Sequence, residues 1–155
     1  MHTDIERGAV EVAGDGFPPV HLHRSDTAEV SRYVPIGTRD PAHVTLTVDG
    51  RRATLAAGRG RFTRSSFRVD VTVGDVRYGF RPCDEDGSRL TRDGHRLGEL
   101  LLEPETVELM AVWAPGADVR PQDAAIGYAL ATAFGTGAES TLMLLVHAVT
   151  AGTPG

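Results

Sequence analysis

Six arginines between positions 51 and 68 are the residues with the clearest potential for chemistry in this chain. No acidic residue interrupts that stretch, and Phe62 and Phe67 lie within it. Guanidinium groups form paired hydrogen bonds with phosphate oxygens, so the stretch predicts a site for an anionic ligand. A solvated sheet face, whose polar positions are filled by arginine, is the alternative. The six residues are Arg51, Arg52, Arg59, Arg61, Arg64 and Arg68.

His21 and His23 have the spacing of two metal ligands on one strand. Alternate side chains of a β-strand point to the same face, so both imidazoles would be available to one ion. His2, His43 and His95 are scattered along the chain, and the sequence marks none of them as a third ligand. Ordinary surface histidines account for the same pattern.

Three other features are compatible with chemistry, each beside a simpler structural explanation. Residues 83–88 resemble a calcium loop but lack an acidic ligand before the glycine and the terminal glutamate, which favours an exposed turn. Cys83 would need a histidine partner to act as a nucleophile, and His147 lies in an apolar run typical of a core. Phosphate-loop, serine-elbow and HExxH motifs do not occur, so we predict neither catalytic residues nor a cofactor.

The composition is that of a soluble globular chain and fits one domain. The chain has 155 residues, 41% hydrophobic and 24% charged, with a net charge of −5 that argues against general affinity for nucleic acid. The single cysteine rules out an internal disulfide and fits a reducing, cytoplasmic setting. Residues 1–12 lack the pattern of a secretory signal. All basic residues are arginine, and lysine and asparagine do not occur, which indicates a G+C-rich source genome such as that of actinobacteria.

Short β-strands are the elements that must position these residues. Apolar and polar residues alternate from position 44 to 113, and two-residue turns interrupt the alternation at Asp49-Gly50, Gly74-Asp75 and Asp93-Gly94. We predict seven or eight strands with no βαβ alternation, and therefore an antiparallel meander. Residues 1–20 show no such period, so they are predicted to be a loosely ordered lead-in.

The stretch 123–150 is the longest apolar segment and is predicted to be helical. Its apolar residues fall on one helical stripe at Leu142, Leu145, Val146 and Val149. Glycines near position 136 separate this stripe from an alanine-rich piece at 121–134, which the sequence leaves open as a separate helix or extended chain. Polar residues within the run make a membrane span costly, so we predict a buried helical segment over 121–151.

The fold prediction is therefore a mainly β (α+β) domain. An antiparallel meander is expected to close into a barrel-like sheet around or against the C-terminal apolar helix, with the domain spanning residues 21–155.

Two hairpins, at 48–55 and 92–100, share a pattern in which Asp-Gly is followed by basic residues and then a small or apolar residue. This pattern resembles the tubby-like superfamily, in particular its LURP-one-related and phospholipid-scramblase-like branches. The resemblance spans roughly residues 41–151 and implies a closed antiparallel barrel around an apolar C-terminal helix introduced by an aspartate, here Asp123. It further implies binding of lipid head groups or hydrophobic ligands in some branches, and no catalytic residues.

The function that follows is a non-enzymatic cytoplasmic module that binds an anionic or lipid-like partner, such as an anionic lipid or another phosphate-bearing ligand. One alternative is a nucleic-acid binder that uses residues 51–68. The other is a small metal-dependent enzyme that uses His21 and His23. We expect no transmembrane span, and the oligomeric state is left open.

Overall fold

The computed structural model describes residues 1–136 apart from 5, 61–63, 85, 104 and 107. At residues 64 and 65 it describes the backbone alone. The described residues form ten β-strands followed by a helix. The predicted helical stripe at 138–151 lies outside the described residues. The elements are β1 (His2–Asp4), β2 (Ala9–Gly14), β3 (Phe17–Arg24), β4 (Val44–Val48), β5 (Arg51–Ala57), β6 (Val69–Val73), β7 (Val76–Pro82), β8 (Gly87–Arg92), β9 (His95–Glu103), β10 (Glu108–Trp113) and α1 (Pro121–Phe134).

The strands form an antiparallel meander, so the predicted topology is confirmed. Each strand pairs with the next one along the chain, and the spatial order runs from β1 to β10 without a crossover. Asp49, Gly50, Asp93 and Gly94, which form two of the predicted turns, all have positive φ, as two-residue type I′ turns require. Local turn chemistry therefore sets the register of these hairpins.

The sheet changes partners along β5. Residues Arg51 to Ala53 pair with β4, whereas Thr54 to Ala57 pair with β6. The two parts of the meander therefore meet along one strand. Within the described residues no pairing joins β1 to β10, so the sheet is open there and the predicted closure into a barrel is not seen.

Helix α1 packs against the sheet. It contacts β2 and β3 most extensively and also β8 and β9, and ten of its residues are buried. Pro121 takes an early helical position, as predicted, because its missing N–H has no partner there in any helix. Gly127 lies so close to Leu90 and Leu100 that an added Cβ would approach both side chains to about 3.0–3.1 Å. The alanine-rich piece at 121–134 is thus one buried helix.

The N-terminal residues form strands, which corrects the predicted lead-in. Val10 and Val12 are buried between partly exposed neighbours in β2, and β3 begins at Phe17 and continues through Pro18 and Pro19. Proline is tolerated near the start of a strand, where fewer ladder hydrogen bonds are needed. The alternation of buried and exposed residues in β3 therefore begins after the two prolines, although the strand already includes them.

Among the described residues, no helix combines the length and the apolar character that a bilayer crossing requires.

Candidate functional site

The connection between β3 and β4 is fixed against the end of α1. Ile36 is fully buried, and its N–H donates to the carbonyl of Ala133 at 2.9 Å. Arg24 donates through Nη1 to the carbonyl of Ile36 at 2.8 Å. These bonds hold the segment that carries Arg39 against the last turn of the helix.

The connection between β5 and β6 lies opposite the connection between β3 and β4. The N–H of Gly58 donates to the carbonyl of Arg68, and that of Gly60 to the carbonyl of Ser66. An added Cβ at Gly58 would lie 2.1 Å from the Ser66 oxygen, and Gly60 has a φ of +70°. Glycine suits the close approach at position 58 and the positive φ at position 60 without strain. The two glycines therefore allow the two halves of this connection to lie close together.

Arg39 ties the two connections together. Its Nε donates to the carbonyl of Gly58 at 2.7 Å, and its Nη2 donates to the carbonyls of Phe67 and Arg68 at 2.8 and 3.3 Å. Its guanidinium also lies 5.7 Å from the ring centroid of Phe67 and 5.6 Å from that of Phe134. Aromatic faces attract such a cation, most strongly where water is excluded.

Arg39 carries its charge in a poorly hydrated place. Burial lowers the pKa of its guanidinium to about 10, so the group is still ionised at neutral pH. Among the described residues, no carboxylate lies within 4.0 Å of it. An anion that reached this guanidinium would therefore gain a strong interaction.

Two recesses give access to Arg39, and a third shares lining residues with both of them. One of about 530 Å³ and a central one of about 330 Å³ both have Arg39 and Arg59 in their walls. A third of about 440 Å³ has Glu29, Asp40 and His43 in its wall. These sizes match pockets for small molecules. We call the three together the Arg39 cleft.

A second polar cluster lies at the start of α1. The fully buried carboxylate of Asp123 accepts hydrogen bonds from the hydroxyl of Tyr78 at 2.6 Å and from the N–H of Arg120 at 2.9 Å, and it forms an ion pair with Arg92. Burial and the hydrogen bond to Asp123 raise the pKa of Tyr78 above its ordinary range. Donors surround this carboxylate, so the cluster is suited to holding the helix in place.

Of the six arginines of the predicted anion site, the structure describes the side chains of four, and these four lie in different surroundings. Arg51 and Arg52 are exposed on β5, while Arg59 follows that strand and lines the Arg39 cleft. Arg68 lies 3.7 Å from Asp70. Arg61 lies outside the described residues, and Arg64 begins a short 3-10 helix. Among the four whose side chains are described, Arg59 lines a cleft.

His21 and His23 are both exposed on one face of β3, as their spacing predicts. His21 lies 4.0 Å from Glu11. Within the described residues, neither histidine belongs to a group of three potential ligands; the group of that size comprises Cys83, Asp84 and Glu99. Arg96 donates to Glu99 at 2.8 Å, and burial and nearby carboxylates raise the pKa of the Cys83 thiol. Both features oppose metal binding at that group.

The sequence does not mark Arg39, which lies outside the arginine-rich stretch at 51–68. The available signal was the apolar pair Val34 and Ile36, which marks a connection that is partly buried. Nothing in the local sequence points to Phe67 or Phe134 as the aromatic partners.

No family model, curated protein or solved structure matches this chain. The resemblance to the tubby-like superfamily therefore stays a prediction.

Proposed function

We propose that this protein is a non-enzymatic module that binds an anionic, phosphate-bearing or lipid-like ligand in the Arg39 cleft. The observation that carries the proposal is the guanidinium of Arg39, which the fold partly buries against Phe67 and Phe134 without a carboxylate within 4.0 Å among the described residues. Burying a charge without a counter-ion is costly. An anionic ligand would offset that cost.

Arg59 gives the cleft a second cation that is free to move. It is exposed, and it lines the same two recesses as Arg39. Two guanidinium groups on one small cleft suit a phosphate or carboxylate group, because Arg59 offers paired donors and Arg39 keeps Nη1, which has no acceptor among the described residues. Arg39 would recognise the ligand from a fixed position, while Arg59 would close onto it.

The wider setting of the proposal is a cytoplasmic member of the tubby-like superfamily whose sheet closes around the helix. The contacts of α1 with strands near both ends of the meander support this closure. The single cysteine, Cys83, supports a reducing compartment.

Binding of phosphate-bearing probes to matched variants tests the proposal. We expect inorganic phosphate or a short phosphate monoester to bind the wild type in calorimetric titration, and Arg59→Gln to weaken binding about tenfold or more, because a charged hydrogen-bonding partner is lost. Arg52→Gln removes an equally exposed arginine on β5 outside the cleft and serves as the control.

Other outcomes would favour the alternatives. Equal losses in Arg59→Gln and Arg52→Gln, with affinity for duplex DNA that falls steeply with salt, would favour nucleic-acid binding and contradict the cleft. Zinc that copurifies and is lost in His21→Ala would favour the metal-dependent enzyme. Binding of vesicles that contain anionic lipid, with the same dependence on Arg59, would identify the ligand as a lipid.

A further inference from the structure

The Arg39 cleft contains acidic as well as basic side chains. Its central recess is lined by Arg39 and Arg59 together with Glu29, and the recess beside it is lined by Glu29 and Asp40. Both signs of charge therefore meet in the central recess, and Asp40 also lines the recess of about 530 Å³ together with Arg39 and Arg59.

Glu29 and Arg59 are close enough to share a recess, but they do not neutralise each other. Among the described residues, neither has an ion pair within 4.0 Å or a side-chain hydrogen bond. Asp40 differs, because its Oδ1 accepts from the N–H of Ala42 at 2.9 Å and its Oδ2 lies 3.9 Å from His43. Glu29 is thus the carboxylate of this cleft that is available to a ligand.

We infer that the ligand is a compact zwitterion, with an anionic group for Arg39 and Arg59 and an ammonium group for Glu29. This inference rests on the proposed function and specifies its ligand class. A ligand with negative charge throughout would place an anion beside Glu29 and Asp40, where like charges repel. A ligand that also carries a positive group meets a side chain of opposite charge for each of its own charges in the central recess.

Paired probes that differ in the ammonium group test the inference. Phosphoethanolamine carries the ammonium, and ethyl phosphate has a similar shape without it; β-alanine and propionate form the same pair with a carboxylate. We expect the zwitterion of at least one pair to bind wild-type protein about tenfold tighter than its partner in calorimetric titration. Phosphatidylethanolamine vesicles, compared with free phosphoethanolamine, would distinguish a lipid source from a soluble one.

Two variants separate this inference from the proposed function. Glu29→Gln should reduce the tenfold preference to about one while leaving affinity for ethyl phosphate or propionate unchanged or higher. Arg59→Gln should weaken both members of a pair. Asp75→Asn, in the turn between β6 and β7, removes an exposed carboxylate outside the cleft and should retain the preference.

The outcomes are distinct. Equal binding within both pairs, or a preference that survives Glu29→Gln, would overturn the zwitterion inference and leave an anion-binding cleft. Absence of binding by all four probes and by the vesicles would count against both proposals.

Discussion

A charge lies at each end of α1, fully buried at the start and partly buried at the far end, and the two charges have different kinds of partner. At the start, the carboxylate of Asp123 is surrounded by Arg92, Tyr78 and a backbone N–H. At the far end, the guanidinium of Arg39 lies over Phe134 and meets carbonyl oxygens and aromatic rings. A cation suits the C-terminal end of a helix, as an anion suits its N-terminal end. Only the Asp123 charge has an ionic partner among the described residues.

This difference separates a structural charge from a candidate binding charge. Asp123 is fully buried, and its partners satisfy the hydrogen-bonding capacity of its carboxylate. Its ion pair therefore serves mainly to fix where the helix begins. Arg39 opens onto a cleft, so its charge is available from solvent. Three variants of these two ends, taken from the largest expected effect to the smallest, test the distinction.

Asp123→Ala should have the largest effect on stability. It removes the partner of Arg92, whose side chain is only 14% exposed, and breaking a buried ion pair costs about 3–5 kcal/mol. We expect urea denaturation to show that loss in the free energy of unfolding. Asp118→Ala is the control, because Asp118 is 80% exposed and 4.0 Å from Arg92. A loss no larger than that of the control would mean that the Asp123 charge is not structural.

Arg39→Met should cost less in stability and more in binding. The methionine retains part of the apolar packing on Phe67 and Phe134, while the carbonyls of Gly58 and Phe67 lose a donor, so we expect a loss of about 1–3 kcal/mol. Phosphate binding, measured on protein shown to be folded by circular dichroism, should be lost. If binding persisted unchanged, the two ends of α1 would both be structural.

Tyr78→Phe should have the smallest effect at neutral pH, about 1 kcal/mol, because one hydrogen bond to Asp123 is lost. The folded state raises the pKa of Tyr78, so it retains the phenolic proton where the unfolded chain releases it. The stability that this tyrosine contributes is present below pH of about 10 and falls as pH rises further. Between pH 8 and 11, the free energy of unfolding measured by urea denaturation should decrease more steeply for the wild type than for Tyr78→Phe. An equal decrease in both proteins would contradict this linkage.

The hairpins were predictable because their information is local. Each turn dipeptide requires positive φ at a defined place, and the alternation on either side determines which residues face inward. β1 and β2 were missed because they are short, and the alternation at Val10 and Val12 stops at Gly14. The helix was placed less accurately, since the apolar stripe after position 138 was given more weight than the alanine-rich piece that α1 forms. Small residues such as Gly127 suit tight contact with strands, which periodicity does not measure.

The candidate site was harder to predict because it depends on contacts between distant parts of the chain. Arg59 was included among the predicted residues, but its companion Arg39 lies in a connection with no periodic pattern. Burial of Arg39 arises only when Phe67 and Phe134 are brought to it by the fold. Glu29 has no local signature either, because its relevance comes from the recess it shares with both arginines.

The strictly sequential order of the strands has a consequence for synthesis on the ribosome. Every strand finds its partner in the segment made just before it, so the sheet can grow as the chain emerges, and local pairing favours rapid folding. The helix that covers the apolar side of β2, β3, β8 and β9 is translated after all ten strands. The apolar side of the nascent sheet therefore stays exposed until α1 has been synthesised. During that interval we expect the chain to be most prone to aggregation and to depend most on a chaperone.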